Sequence, residues 1–253
     1  MGKKVLIMAG AFLMLAVSLF PLVEIKGSQK ALNGSDEFEY QGSVYTVVSR
    51  KNHTCALKKA GNLLNYDGKC YKQDGLVYNG DTEYKVTVIG YQAFWTDENI
   101  SFELKLPETV TRLKSECMGC NITKLDMKDT AVKTIPSYLF SVYNDSGKVV
   151  PLISEVELPK ECKTISGLAF WGCKKIKSLR IPESVKKIGI RSIDTKCMEL
   201  YFEGMPPKSI LKLIMKSAVL YVKEEYYLDS LDLLIKPISL GKCEVKIFQN
   251  ENP

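Results

Sequence analysis

The stretch "CKTISGLAFWGCKKIKSLRIPESVKKIG", residues 162–189, says one local phrase twice. "ECKTIS" follows "LP" at its start and "SVKKIG" follows "IPE" at its end, so Ile165 and Ile188 hold equivalent places 23 residues apart. Working outward, the pattern V-x-x-I gives Val86/Ile89, Val110/Leu113, Val132/Ile135, Cys162/Ile165 and Val185/Ile188. The second members are separated by 24, 22, 30 and 23 residues. Five residues after each comes another apolar side chain: Phe94, Met118, Phe140, Phe170 and Ile193. A second apolar pair then closes each unit: Leu104/Leu106, Leu125/Met127, Val156/Leu158, Leu179/Ile181 and Leu200/Phe202.

Three apolar clusters per unit at constant offsets are what a solenoid needs, because no single turn buries its own face and each must stack on the next. The period-2 pair suits a short strand with both apolar residues inward. "GYQAFW" and "GLAFWG" suit a short helical or 3₁₀ turn on the opposite side. The one long step carries seven extra residues within "SVYNDSGKVVP", a polar, turn-rich loop. It reads as a tolerated surface bulge rather than a binding edge.

"VTVIGYQAF", "LPETVTRL", the opening stretch and the "MELYFEGMPP" exit resemble the BspA-like leucine-rich repeats of bacterial surface proteins. The likeness runs from about residue 38 to the end, with Met118 and Ile193 in place of the usual phenylalanine. "FEYQGSVY" and "VYNGDTEYKVTVIG" look like that family's β-hairpin lead-in, and "AVLYVKEEYYLDSLDLLIKPI" like its C-terminal cap. The expected fold is an α/β solenoid: a right-handed leucine-rich repeat array of about five coils, with a β-hairpin N-terminal cap and a helical C-terminal cap. The family implies an exported interaction scaffold, often an adhesin, and carries no catalytic motif to transfer.

The ends fit this reading. Asn79-Gly80 asks for a type I′ hairpin turn. Tyr227, Leu228, Leu231 and Leu234 recur at helical spacing and would plug the last coil. The expected organisation is a leader at 1–27, a β-rich cap at 38–85, repeats at 86–205 and a C-terminal cap at 206–253. In the leader, "MGKK" precedes an apolar run from Val5 to Val23, with Ala16-Val17-Ser18 as a cleavage site. The run reads as a signal peptide, with an uncleaved N-terminal anchor as the alternative. Either way the expectation is export: cell surface, periplasm or secretion.

The chain has 253 residues, 45% of them hydrophobic, and a formal net charge of +6. That charge is too small and dispersed for a nucleic-acid stripe. Of the eight cysteines, Cys162 takes the place of a core valine, and Cys120, Cys173 and Cys197 share nearly one phase. These, with Cys117, are expected as buried thiols rather than metal or redox groups. Cys55 and Cys70 lie outside the repeats and are the candidate disulfide. His53 is the only histidine and sits in a polar loop, which leaves a Ser-His-Asp or Cys-His nucleophile little to build on. No cofactor or metal motif appears.

Just before the paired apolar residues, Glu103, Lys124, Glu155, Ser178 and Glu199 form one expected outer column. Lys105, Asp126, Glu157, Arg180 and Tyr201 form the next. The charges of the first alternate at its start and can satisfy each other across strands. Trp95 and Trp171 share a repeat phase, which offers either partial burial or an aromatic edge. The candidate binding residues are therefore Trp95, Trp171, Arg180 and Tyr201. The expected function is adhesin-like binding of an extracellular protein by a monomer without cofactors. A glycan-binding module is the alternative, and a glycosidase-like enzyme a distant third.

Overall fold

The computed structural model describes residues 36–96, 100–144, 147–148, 150–193, 199–209, 219–235 and 244–248. The leader at 1–27 and Cys197 lie outside these residues. The coils stack in the register that the repeat demands. Ile89 pairs with Leu113, Ile135 with Ile165, and Ile165 with Ile188, all in parallel. A second parallel ladder joins Leu104 to Leu125, Leu125 to Val156, and Leu179 to Leu200. All of these apolar side chains are buried. Fully burying one such side chain stabilises the fold by about 1.5–3 kcal/mol.

The third column is made of turns, not helices. Met118 bridges Phe140 and Phe170 bridges Ile193, again in parallel. The reason lies three residues after each V-x-x-I pair. Gln92, Glu116, Tyr138, Leu168 and Arg191 all have positive φ, between 51° and 60°. A left-handed residue in every coil stops a helix from propagating. Its cost, about 1–3 kcal/mol for a non-glycine residue, is offset by interlocking. The N–H of Gln92 donates to the carbonyl of Glu116 (3.1 Å), that of Glu116 to Tyr138 (2.6 Å), and that of Tyr138 to Leu168 (3.0 Å). Gly167 and Gly189 meet backbone to backbone: a Cβ on Gly189 would lie 2.1 Å from the Gly167 nitrogen.

At the N-terminal end, strands Glu37–Tyr40, Ser43–Ser49 and Thr54–Lys59 run antiparallel. Thr54–Lys59 then lies parallel to Thr82–Ile89 and continues the first ladder backward. The hairpin expected at Asn79 forms, but its loop is Gly80-Asp81, closed by Asn79 and Thr82. Only Gly80 has positive φ (64°), as the first position of a type II′ turn requires. Positive φ at both loop positions, the I′ requirement, occurs instead at Gln41 and Gly42.

The strand ladder is longer than the repeat pattern announces. Cys70–Lys72 forms a rung before Phe102–Lys105. Beyond Glu199–Phe202, Val219–Val222 and Glu244–Ile247 add two more. The C-terminal region is therefore not wholly helical. Helix α1, Tyr227–Ile235, lies between those two rungs. Its inner face agrees with the expected one at Tyr227, which packs on the core beside Leu233, and differs at Leu228, which is 76% exposed, and at Ser230, which is buried. The insertion forms a small hairpin, Tyr143–Asn144 with Gly147–Lys148.

Candidate functional site on the outer face of the strand ladder

The outward positions of the ladder fall into two dissimilar halves. In the first, Lys105 pairs with Asp126 (3.3 Å) and Asp129 (3.5 Å), and Lys124 with Glu155 (3.1 Å) and Glu157 (3.6 Å). Parallel pairing sets Lys105 opposite Asp126 and Lys124 opposite Glu155, as the alternating signs anticipate. The Glu155 carboxylate beside Lys124 raises its ammonium above the usual lysine range. Exposed pairs of this kind contribute about 0–1 kcal/mol each and leave little charge for a ligand.

In the second half, the register sets Arg180 opposite Tyr201, Tyr201 opposite Tyr221, and Tyr221 opposite Lys246. The two tyrosine rings stack with centroids 4.4 Å apart and planes within 5°. Arg180 carries its guanidinium 5.6 Å from the Tyr201 centroid and 5.9 Å from that of Phe248. Phe248 meets Tyr201 edge to face at 5.7 Å. Both tyrosine hydroxyls donate to Glu199, at 3.0 and 3.2 Å. Desolvation, with the Glu199 carboxylate second, pushes the Tyr201 phenol up to about 12. The hydroxyl therefore stays a neutral donor throughout the physiological range.

This geometry limits what the tier can bind. Tyr201 is flanked by Tyr221 on one side and Arg180 on the other, so at that ring a ligand meets edge and hydroxyl rather than an open aromatic plane. Half-buried, rigid tyrosines flanked by an arginine are the composition of a protein-binding hot spot. Of the candidate residues, the structure brings Arg180 and Tyr201 together. Tyr221 and Phe248 complete the cluster and escape a reading of the repeats that stops at Phe202.

The tryptophans are not part of it. Both are half-buried. Trp171 meets Tyr138 edge to face at 6.0 Å. Trp95 borders a concavity of about 300 Å³ with Lys59, Asn62, Leu63 and Leu64. At their repeat phase the intervening coils carry Gly119 and Ser141, both buried, so the two rings do not form one continuous edge.

Cys117, Cys120, Cys162 and Cys173 are buried in the core, as their register predicts. Desolvation pushes the Cys162 thiol up to about 11 and that of Cys117 higher still. A thiol held protonated is a poor metal ligand and a poor nucleophile. Cys55 and Cys70, expected as a disulfide, are free thiols. Cys55 is buried opposite Val86 in the first ladder, whereas Cys70 is exposed opposite Glu103 in the second. Their places in different ladders keep them apart. His53 is exposed, with its ring 5.6 Å from that of Tyr84.

Comparison with known proteins agrees with this architecture. The BspA type leucine rich repeat region matches residues 67–199 in 6 copies. Among solved structures, a leucine-rich repeat protein from T. pallidum has a TM-score of 0.51 at 13% identity. That match covers 81% of this chain and 96% of the other. A leucine-rich repeat protein from Bacteroides capillosus is 20% identical with a TM-score of 0.39, over 67% of this chain and 100% of the other. No match was found among curated proteins. With six copies of the repeat over more than half its length, the chain belongs to the BspA-type leucine-rich repeat family.

Proposed function

We propose that this chain is an exported, monomeric leucine-rich repeat scaffold that binds an extracellular protein partner at the cell surface, in the manner of an adhesin. The observation that carries the reading is the Arg180, Tyr201, Tyr221 and Phe248 cluster on the outer face of the ladder. Ring edges, hydroxyls and a guanidinium give a partner a large contact at little conformational cost. Export is supported by the Lys3-Lys4 charge followed by the apolar run from Val5 to Val23. The domain limits at 86 and 205 enclose the clearest sequence repeats, with further rungs lying outside them.

A second reading, glycan binding, is favoured by one feature alone: Trp95 beside its shallow concavity. It would require Trp95 or Trp171, and a catalytic role is not needed for either reading. The test is capture by the purified chain on a panel of extracellular matrix proteins beside a glycan array. Capture of a protein that is weakened by Tyr201→Ala supports the adhesin reading. Capture of glycans alone, lost in Trp95→Ala, replaces it with the second. Silence on both panels removes both.

A further inference from the structure

Ten asparagines occur in the chain, and five of them stand two residues before a Ser or Thr with no proline between: Asn33, Asn52, Asn99, Asn121 and Asn144. This triplet is the acceptor signal for an N-linked sugar. Ser and Thr make up 31 of the 253 residues, so ten asparagines would complete about one such triplet by chance. All five lie before residue 145, and no asparagine occurs between Asn144 and Asn250. The span that holds Arg180, Tyr201, Tyr221 and Phe248 therefore offers no acceptor.

Two of the triplets lie wholly within the described residues, and they differ. In Asn121-Ile122-Thr123 both polar side chains are in use. The Asn121 Oδ1 accepts from the Cys120 thiol at 2.9 Å, and the Thr123 hydroxyl donates to the Phe102 carbonyl at 3.2 Å. Asn121 is half-buried, and its triplet runs straight into strand Ile122–Asp126, with Ile122 buried. Asn52-His53-Thr54 instead stands at the hairpin that joins Ser43–Ser49 to Thr54–Lys59. Its loop, 50–53, is closed by Ser49 opposite Thr54 and is exposed throughout. The backbone alone shapes this turn: the Asn52 N–H donates to the Ser49 hydroxyl at 3.2 Å, and His53 reverses the chain with a φ of 47°. The His53 carbonyl then accepts from the Lys85 N–H at 2.8 Å. Among the described residues no hydrogen bond holds the side chain of Asn52 or of Thr54, so amide and hydroxyl are both available.

We propose that Asn52 carries an N-linked oligosaccharide, added as the chain is exported. The donor is an oligosaccharide on a lipid-linked pyrophosphate. The Asn52 Nδ2 bonds to C1 of the first sugar, the C1–O bond to the pyrophosphate breaks and leaves with the lipid, and the displaced amide proton is released. A sugar on this loop extends into solvent and displaces no core side chain. At Asn121 it would have to break the thiol contact and crowd the start of a rung. The bulky, hydrated glycan then sits on the N-terminal cap, where strand Thr54–Lys59 begins the first ladder, and the aromatic cluster on the later rungs stays bare for a partner. The proposal rests on the export reading, because such donors are used on the far side of an export membrane.

The experiment is peptide mass spectrometry of the full chain, produced with its own leader in the cells that naturally make it and recovered from their surface and medium. Trypsin cuts after Lys51 and Lys58, and after Lys114 and Lys124, so the two triplets fall on separate peptides. Expected is a sugar mass on peptide 52–58 and none on peptide 115–124. Thr54→Ala, which leaves Asn52 in place, should lose the sugar completely, and Thr54→Ser should keep it. Recovery of both variants at the surface shows that they fold and are exported. A surface-recovered chain with a bare Asn52, a sugar that persists in Thr54→Ala, or a sugar on Asn121 in place of Asn52 would each overturn the site while leaving export standing. A chain retained in the cytosol without sugar would overturn export and the site together.

Discussion

The first and second halves of the strand ladder share a backbone plan and a core but not an outer face. Rungs 103–105, 124–126 and 155–157 present lysines and carboxylates that neutralise each other across strands. Rungs 178–181, 199–202, 219–222 and 244–247 carry an arginine, stacked tyrosines and a phenylalanine at their end. Solvated ion pairs are satisfied at home. Half-buried aromatic rings retain apolar edge that a partner can still cover. A uniform repeat can thus carry charges satisfied at home on one stretch and uncovered aromatic edge on the next, by changing only residues that face away from the core.

The comparison first requires that the core be common to both halves. Leu125→Ala in the charged half and Leu200→Ala in the aromatic half both empty buried sites, and each should cost about 2–5 kcal/mol. Urea melts should show one transition in each variant, for a single elongated unit. Two separate transitions would mean that the halves fold independently and that the shared-core premise fails.

Alkaline pH probes the coil between them. Burial raises the Cys162 thiol from 9.0 to about 11. The unfolded chain releases this proton first, so it binds fewer protons than the native state between those values, and stability falls as pH rises. The contribution is fully present below about 9 and lost toward about 11, of the order of 2–3 kcal/mol. Cys162→Val should flatten that part of the pH profile. Alkylation gives a second check: Cys70 should react in the native protein, and Cys55, Cys117, Cys162 and Cys173 only after denaturation, without reductant.

Smaller effects belong to the side chains at the surface. Trp95→Ala and Trp171→Ala should fall between the surface and core limits, at about 0.5–3 kcal/mol, as their half-burial implies. In double-mutant cycles, the Tyr201 and Tyr221 stack should couple by about 0.5–1.5 kcal/mol, with little salt dependence. The Lys124 and Glu155 pair should couple by only about 0.2–1 kcal/mol and fade in high salt. If the ion pair coupled more strongly than the stack, the contrast between the two faces would be reversed.

The rungs at Leu104, Leu125, Val156, Leu179 and Leu200 were legible in the sequence because spacing alone fixes a stacked register. So were the alternating charges of the first half, since parallel pairing brings like positions together. The last two rungs were not. "VLYV" at 219–222 lies beside a Tyr227, Leu228, Leu231 pattern that reads as helix, and the helix does form, from Tyr227. With that rung hidden, Tyr201 had no visible stacking partner. The turns at Phe94 and Phe170 close with 3₁₀-type bonds, Trp95 N–H to the Gln92 carbonyl and Trp171 N–H to that of Leu168, but positive φ at Gln92 and Leu168, which no glycine announces, stops them from growing into helices.

Capture of extracellular matrix proteins by three forms of the chain tests the account most directly: wild type, Y201A/Y221A and K105A/K124A. The account predicts that wild type captures at least one protein and that K105A/K124A captures it equally well. Y201A/Y221A should lose about thirtyfold or more, the loss of about 2 kcal/mol expected of a hot spot. A loss confined to K105A/K124A, or an equal loss in both variants, would contradict it.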